Sequence, residues 1–151
     1  MNRFLPEPSP MTQPFWDGCA VGELRVQGCK RCGHRQFYPR IVCTACGGDA
    51  LQWNPVSGQG TLRSYSVVRR PVTEAYAAQV PYVIVVVALA EGPTLMSQLT
   101  GIDLGAEDFD VGAHGITVGA PVQVVFEPWS DAITMPLFRL RSSGTVHEPA
   151  N

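Results

Sequence analysis

Apolar and polar positions divide the chain into two stretches of different texture. Before residue 55 the apolar residues come in short bursts broken by proline, glycine and cysteine; after it they settle into strand-like runs. "GQGTLRSYSVVRR" alternates, which assigns Thr61, Arg63, Tyr65 and Val67 to one face and Leu62, Ser64, Ser66 and Val68 to the other. "PYVIVVVALAEG" is apolar on both faces, and "PTLMSQLTG", "PVQVVFE" and "PLFRLRS" complete five strands, most of them ending at glycine or proline. No segment carries a long apolar stripe of helical period, so a parallel βαβ architecture is excluded. The predicted fold class is all-β. Five short antiparallel strands in a stretch of this length close into a small barrel, and the OB-fold is the common five-stranded solution. The doubly apolar run Tyr82–Leu89 predicts a strand covered outside as well as inside, by a neighbouring ribbon, a loop or another subunit.

The remaining segments fall around this barrel. Residues 1–14, with Pro6, Pro8, Pro10 and Pro14, read as an extended arm. Residues 15–54 form an N-terminal segment and ribbon: a turn of helix around Phe15 and Trp16, a strand at Glu23–Gln27, "QFYPRIV" as a strand broken at Pro39, and "ALQWNPV" as another. Residues 55–143 are the barrel and 144–151 a flexible tail. The glycine-rich, acidic stretch "GIDLGAEDFDVGAHGITVGA" is a surface loop with a helical turn at Ala106–Phe109.

Composition sharpens this outline. A chain of 151 residues, 45% apolar, buries one modest core, and the expectation is a small satellite beside it held by something other than hydrophobic area. The holding agent is legible in "CKRCGHRQFYPRIVCTACG", where two Cys-x-x-Cys pairs, Cys29/Cys32 and Cys43/Cys46, are each followed by glycine. Such turns aim two sulfurs at a common point, and Gly33 and Gly47 supply the positive φ that the knuckle requires. The pattern predicts one structural Zn²⁺ in a filled Cys₄ shell, with iron in the same S₄ cage left open by ligand type. A redox dithiol would need only one pair. The fifth cysteine, Cys19, lies outside the spacing and reads as a small apolar residue. No apolar run approaches the roughly 20 residues of a membrane span, and the N-terminus lacks a secretory apolar region, so a cytoplasmic protein is expected.

Charge is distributed unevenly behind a net −2. Through Arg70 there are nine Lys/Arg against four Asp/Glu; beyond it, two against nine. Arg25, Lys30, Arg31, Arg35 and Arg40 surround the cysteines and, with Arg69 and Arg70 further on, make a local field suited to phosphate-bearing partners or to acidic groups of a partner. Phe15 and Trp16 are either docking aromatics or a cap over one end of the core.

Taken in order, the leading Phe-Trp, "CKRCG", "YPR", "CTACG", "WNPVSGQGTLRSYSVV", "PYVIVVVALAEGP", "VGAPVQVVF" and "PLFR" resemble the DUF35 family from about Phe15 to Arg141. The resemblance implies a rubredoxin-like zinc ribbon before an OB-fold, and a non-catalytic subunit that binds a thiolase-fold enzyme and helps form or gate its acyl-CoA site. The residues agree with the absence of independent catalysis. Four cysteines are committed to metal, Cys19 has no histidine or basic residue beside it in the sequence, Gly-x-Ser-x-Gly is missing, His34 reads as a surface group near the metal, and His114 and His147 read as solvated. The competing class is a single-stranded nucleic-acid binder, since OB-folds host that function. Basic residues are sparse along the barrel strands, however, and nucleic acid is not the expected partner.

Overall fold

The computed structural model describes residues 4–105 and 111–141. Ser9 and Thr12 exchange backbone and side-chain hydrogen bonds that turn the chain into helix α1, Gln13–Ala20, with Pro14 in its first turn, where a missing N–H costs nothing. The helical turn expected at Phe15 and Trp16 is thus a full helix whose first residue lies inside the arm expected at 1–14. Strand β1, Leu24–Cys29, then pairs antiparallel with β2, Arg35–Gln36, and β3, Leu51–Val56, in the order β2-β1-β3. The strand expected through "QFYPRIV" ends after two residues. Past Gln36 the backbone bonds to side chains instead of to a ladder, and Pro39 has no N–H to offer.

Ser57 and Gly58 separate β3 from the barrel. Its strands are β4 (Gln59–Val68), β5 (Tyr82–Leu89), β6 (Thr94–Leu99), β7 (Pro121–Pro128) and β8 (Thr134–Leu140), closed in the order β4-β5-β6-β8-β7. The chain is therefore mostly strand, with one closed five-stranded barrel, as the alternation predicted. One pairing departs from the all-antiparallel expectation: β6 meets β8 in parallel at Leu99 and Phe138.

The faces of β4 also differ from simple alternation. Register slips between Leu62, opposite Val87, and Ser64, opposite Val86, leaving Arg63 as the extra residue of a bulge. Leu62, Tyr65 and Val67 consequently share the inward face with Val87, Val85 and Val83, because a bulge reverses every later side chain. Along β5 the alternate residues Val83, Val85 and Val87 are at most 1% exposed, whereas Ile84, Val86 and Ala88 on the outer face are only half-buried.

A single core spans both parts. Phe15, Cys19, Leu24 and Val26 join Leu62, Val85, Val122 and Phe138 in one cluster, with α1 packed on β1, β3 and β8. The expected satellite is therefore only the tip of the ribbon, since its base shares one buried cluster with the barrel. The helical turn expected at Ala106–Phe109 and the tail 144–151 lie outside the described residues.

Candidate metal centre and docking face

The four cysteines of the two knuckles converge. Their Sγ atoms all lie within 4.8 Å of one another, with Cys29–Cys46 at 3.7 Å and Cys32–Cys43 at 3.6 Å. A tetrahedral shell with metal–sulfur bonds of about 2.3 Å has sulfur–sulfur edges of about 3.8 Å, so the cage fits such an ion. Each knuckle is closed by a glycine amide: Gly33 N–H donates to the Cys29 carbonyl and Gly47 N–H to the Cys43 carbonyl, both at 2.9 Å. The glycines adopt φ of 76° and 69°, a region that side chains with Cβ rarely enter. Backbone N–H groups also reach the sulfurs. That of Cys46 is the main influence holding the Cys43 thiol down to about 6; that of His34 acts likewise on Cys32, but desolvation and the three neighbouring sulfurs outweigh it and push Cys32 up to about 12. With four sulfurs converging, the cage has no vacant ligand position for a substrate.

Beneath the second knuckle lies a polar network that sequence reasoning missed. Gln27 and Gln36 are 5% and 7% exposed. Gln27 Oε1 accepts from Gln36 Nε2 and from Arg40 N–H, both at 2.9 Å, while Gln27 Nε2 donates to the Arg40 carbonyl at 3.1 Å. Gln36 Nε2 also donates to the Val42 carbonyl at 3.3 Å, and Gln36 Oε1 accepts Thr44 N–H at 2.9 Å. Glutamine is normally a surface residue, so no local signal marked these two as buried.

The candidate contact residues do not form one cluster. Arg31 packs its side chain beside Gly48, which also borders the Cys46 sulfur. Arg35 bears electrostatically on Glu91 in the β5–β6 turn, and the two line a small cleft with Gly33, His34 and Gly92. Lys30 and Arg40 are exposed on the ribbon, whereas Arg69 and Arg70 follow β4 on the barrel. Phe15 is a core residue at 8% exposure, edge-on to both Trp16 and Phe37 at centroid distances of 4.9 and 5.5 Å. It therefore caps the core, and with half-buried Trp16 it walls an apolar groove of about 530 Å³. Across that groove stand Tyr76, Ile84, Met96 and Met135, residues from distant segments that no linear pattern connects. Cys19 is fully buried, and burial pushes its thiol up to about 12 against the opposing charge of Arg25, which leaves it an inert apolar group.

The cage, the ribbon and the closed barrel define a class: a small protein with a metal ribbon and an OB-fold. No helix among the described residues is long and apolar enough to cross a membrane. Comparison with known proteins narrows the class. The family model for the rubredoxin-like zinc ribbon domain of ChsH2 matches residues 16–52, and that for the ChsH2 C-terminal OB-fold domain matches residues 53–127. A DUF35 domain-containing scaffold protein of Methanothermobacter thermautotrophicus is 33% identical over 99 residues, covering 65% of this chain and 67% of that protein. A probable enoyl-CoA hydratase alpha subunit of Thermomonospora curvata is 31% identical over 128 residues; the match covers 83% of this chain but only 36% of the relative's length. Among solved structures, the Ltp2–ChsH2(DUF35) aldolase contains a chain that superposes with a TM-score of 0.75 at 26% identity, over 90% of this chain and 98% of that one. A Sulfolobus solfataricus protein of the DUF35 family, at 15% identity and a TM-score of 0.61 over 87% of this chain and 86% of its own, shares the fold. The chain belongs to the DUF35 family, with the ribbon-then-barrel arrangement of ChsH2.

Proposed function

We propose that this chain is a non-catalytic accessory subunit of a thiolase-like acyl-CoA enzyme, docking to that enzyme in the cytoplasm and helping to form or gate its CoA-ester site. The observation that carries the reading is the near-complete match, 98% of its length, to the DUF35 chain of an aldolase structure. A second support is chemical. The thiols are either gathered in a cage suited to metal or, as at Cys19, buried and inert, so none is a candidate nucleophile for acyl transfer. Cys29, Cys32, Cys43 and Cys46 would hold one Zn²⁺. That ion would supply folding free energy of about 10–16 kcal/mol and no reaction step.

Within this reading half-buried Trp16 belongs to the docking side through the groove it walls, and Phe15 supports that wall from the core. Lys30, Arg31, Arg35, Arg40, Arg69 and Arg70 are candidates for CoA phosphates or for acidic groups of the enzyme, arginine being favoured because its planar fork bonds two oxygens at once. The test is steady-state turnover of an acyl-CoA substrate by the purified enzyme, with and without this chain. Addition is expected to raise turnover while the chain alone releases no CoA; an enzyme equally active without it would defeat the proposal. Arg31→Ala and Arg35→Ala are expected to raise KM for the CoA ester, and an unchanged KM in both would remove their phosphate role.

A further inference from the structure

The ribbon loop that follows β2 is pinned from one side and apolar on the other. Gln27 and Gln36 hold both the N–H and the carbonyl of Arg40, the carbonyl of Val42 and the N–H of Thr44. Pro39 stiffens the same turn, and Tyr38 stacks edge-on against Phe37 at 5.0 Å. Despite this ordering the loop exposes its large side chains: Ile41 is 79% exposed, Tyr38 54% and Val42 42%. Scattered surface hydrophobes need no explanation, but three within five consecutive residues, on a backbone fixed by buried amides, form a preformed apolar knob. A loop ordered in advance also avoids the entropy loss that a mobile loop suffers on binding.

Charge indicates what the knob fits. From Cys29 to Gly48 the sequence contains Lys30, Arg31, Arg35 and Arg40 and no Asp or Glu. All four cations are exposed, and they outweigh the formal charge of about −2 that four thiolates and one Zn²⁺ would carry. We propose that Tyr38–Val42 is a preformed docking knob for a protein surface offering an apolar pocket ringed by carboxylates, and that this surface belongs to the acyl-CoA enzyme. The identity of the partner rests on the function proposed above; the knob itself does not. Single-stranded nucleic acid is disfavoured because two of the three exposed side chains, Ile41 and Val42, are aliphatic, leaving Tyr38 alone where such binding uses successive aromatic platforms. A second copy is disfavoured as well. The complementary acidic half of this chain would meet the knob head to tail, a heterologous contact that gives a ring or an open filament and not a two-fold dimer, the commonest homo-oligomer.

Isothermal titration of the full-length, zinc-loaded chain into the purified enzyme tests this. Ile41→Asp is expected to weaken binding at least about tenfold, from the apolar area it withdraws and the charge it places among carboxylates. Arg40→Glu should weaken it about fivefold or more and flatten its dependence on salt. Val118→Asp, at a residue 69% exposed in the turn before β7, should bind like the parent chain, and all three variants should keep their metal and melting temperature. Unchanged binding by both Ile41→Asp and Arg40→Glu overturns the knob; if Trp16→Ala then loses affinity, the accessory-subunit reading survives with docking on the helix. A parent chain that fails to bind the enzyme overturns both. Self-association without the enzyme, or binding of a labelled oligonucleotide, abolished by these same two variants would reassign the knob and overturn this proposal.

Discussion

Replacing Gln36 by leucine tests the network under the knob. The substitution keeps a side chain of similar bulk in a site only 7% exposed but removes every polar atom. Thr44 N–H loses its acceptor and the Val42 carbonyl its donor. Gln27 Oε1 loses one of two donors but keeps Arg40 N–H, and the Thr44 hydroxyl keeps His34 Nε2 at 3.1 Å. Two part-buried backbone groups are thus orphaned, at about 1–3 kcal/mol each, and the added apolar burial offsets about 1 kcal/mol. The expected net loss is about 1–5 kcal/mol, centred on about 3 kcal/mol. Against the roughly 10–16 kcal/mol of a structural zinc, this is too little to open the cage, so the loop should loosen while the metal stays. Urea denaturation of the zinc-loaded protein reads the stability change, native-state hydrogen exchange reads the amides of Arg40 and Thr44, and elemental analysis reads the metal. Exchange at both amides should accelerate by tenfold or more, with unchanged metal content. A stability loss below about 0.5 kcal/mol together with unaltered exchange would refute the reasoning, because the amides would then not be holding the loop.

Three further outcomes are expected. Cys43→Ser should abolish stoichiometric metal and, because Leu24 and Val26 belong to the shared core, lower the thermal stability of the barrel as well as the ribbon; full metal content by native mass spectrometry and a parental melting curve would contradict this. Gly58→Ala should cost about 2–4 kcal/mol in urea denaturation, since the residue sits at φ 70° and its new Cβ would strike the Val124 side chain; a loss under about 0.5 kcal/mol would count against the junction described here. Glu91 should confer an acid-dependent increment of stability. Burial raises its pKa, but hydrogen bonding from Ser57, with N–H to Oε1 at 2.7 Å, and the charge of Arg35 outweigh it and hold the carboxyl below its ordinary value of 4.5. A depressed folded-state pKa contributes stability that is present above pH 4.5 and lost as pH falls through the lower folded value. The difference in melting temperature between the parent and Glu91→Gln should therefore shrink as the medium is acidified below pH 4.5. A difference independent of pH would show that the carboxylate's charge is not involved.

The legible and illegible features separate by range of interaction. The cage could be read because Cys29, Cys32, Cys43 and Cys46 impose a local spacing and Gly33 and Gly47 a local backbone conformation. The five barrel strands could be read because short apolar or alternating runs ending at glycine or proline are local signals, although the apolar outer face of β5 masked which residues, Val83, Val85 and Val87, point inward. The inward face of β4 could not, since the bulge at Arg63 is decided by pairing with β5. Nor could the groove, whose walls come from α1, β5, β6, β8 and the segment around Tyr76. Gln27 and Gln36 were hidden for a related reason: their polarity points outward on composition, and only the return of the chain at Arg40–Thr44 makes burial affordable.

The docking role proposed for the chain is tested most directly by size-exclusion chromatography with light scattering on an equimolar mixture of this protein and the purified thiolase-like acyl-CoA enzyme proposed as its partner. One heteromeric peak is expected, with one zinc for every copy of this chain. Two peaks at the masses of the separate components, at concentrations where the enzyme turns over its substrate, would contradict it.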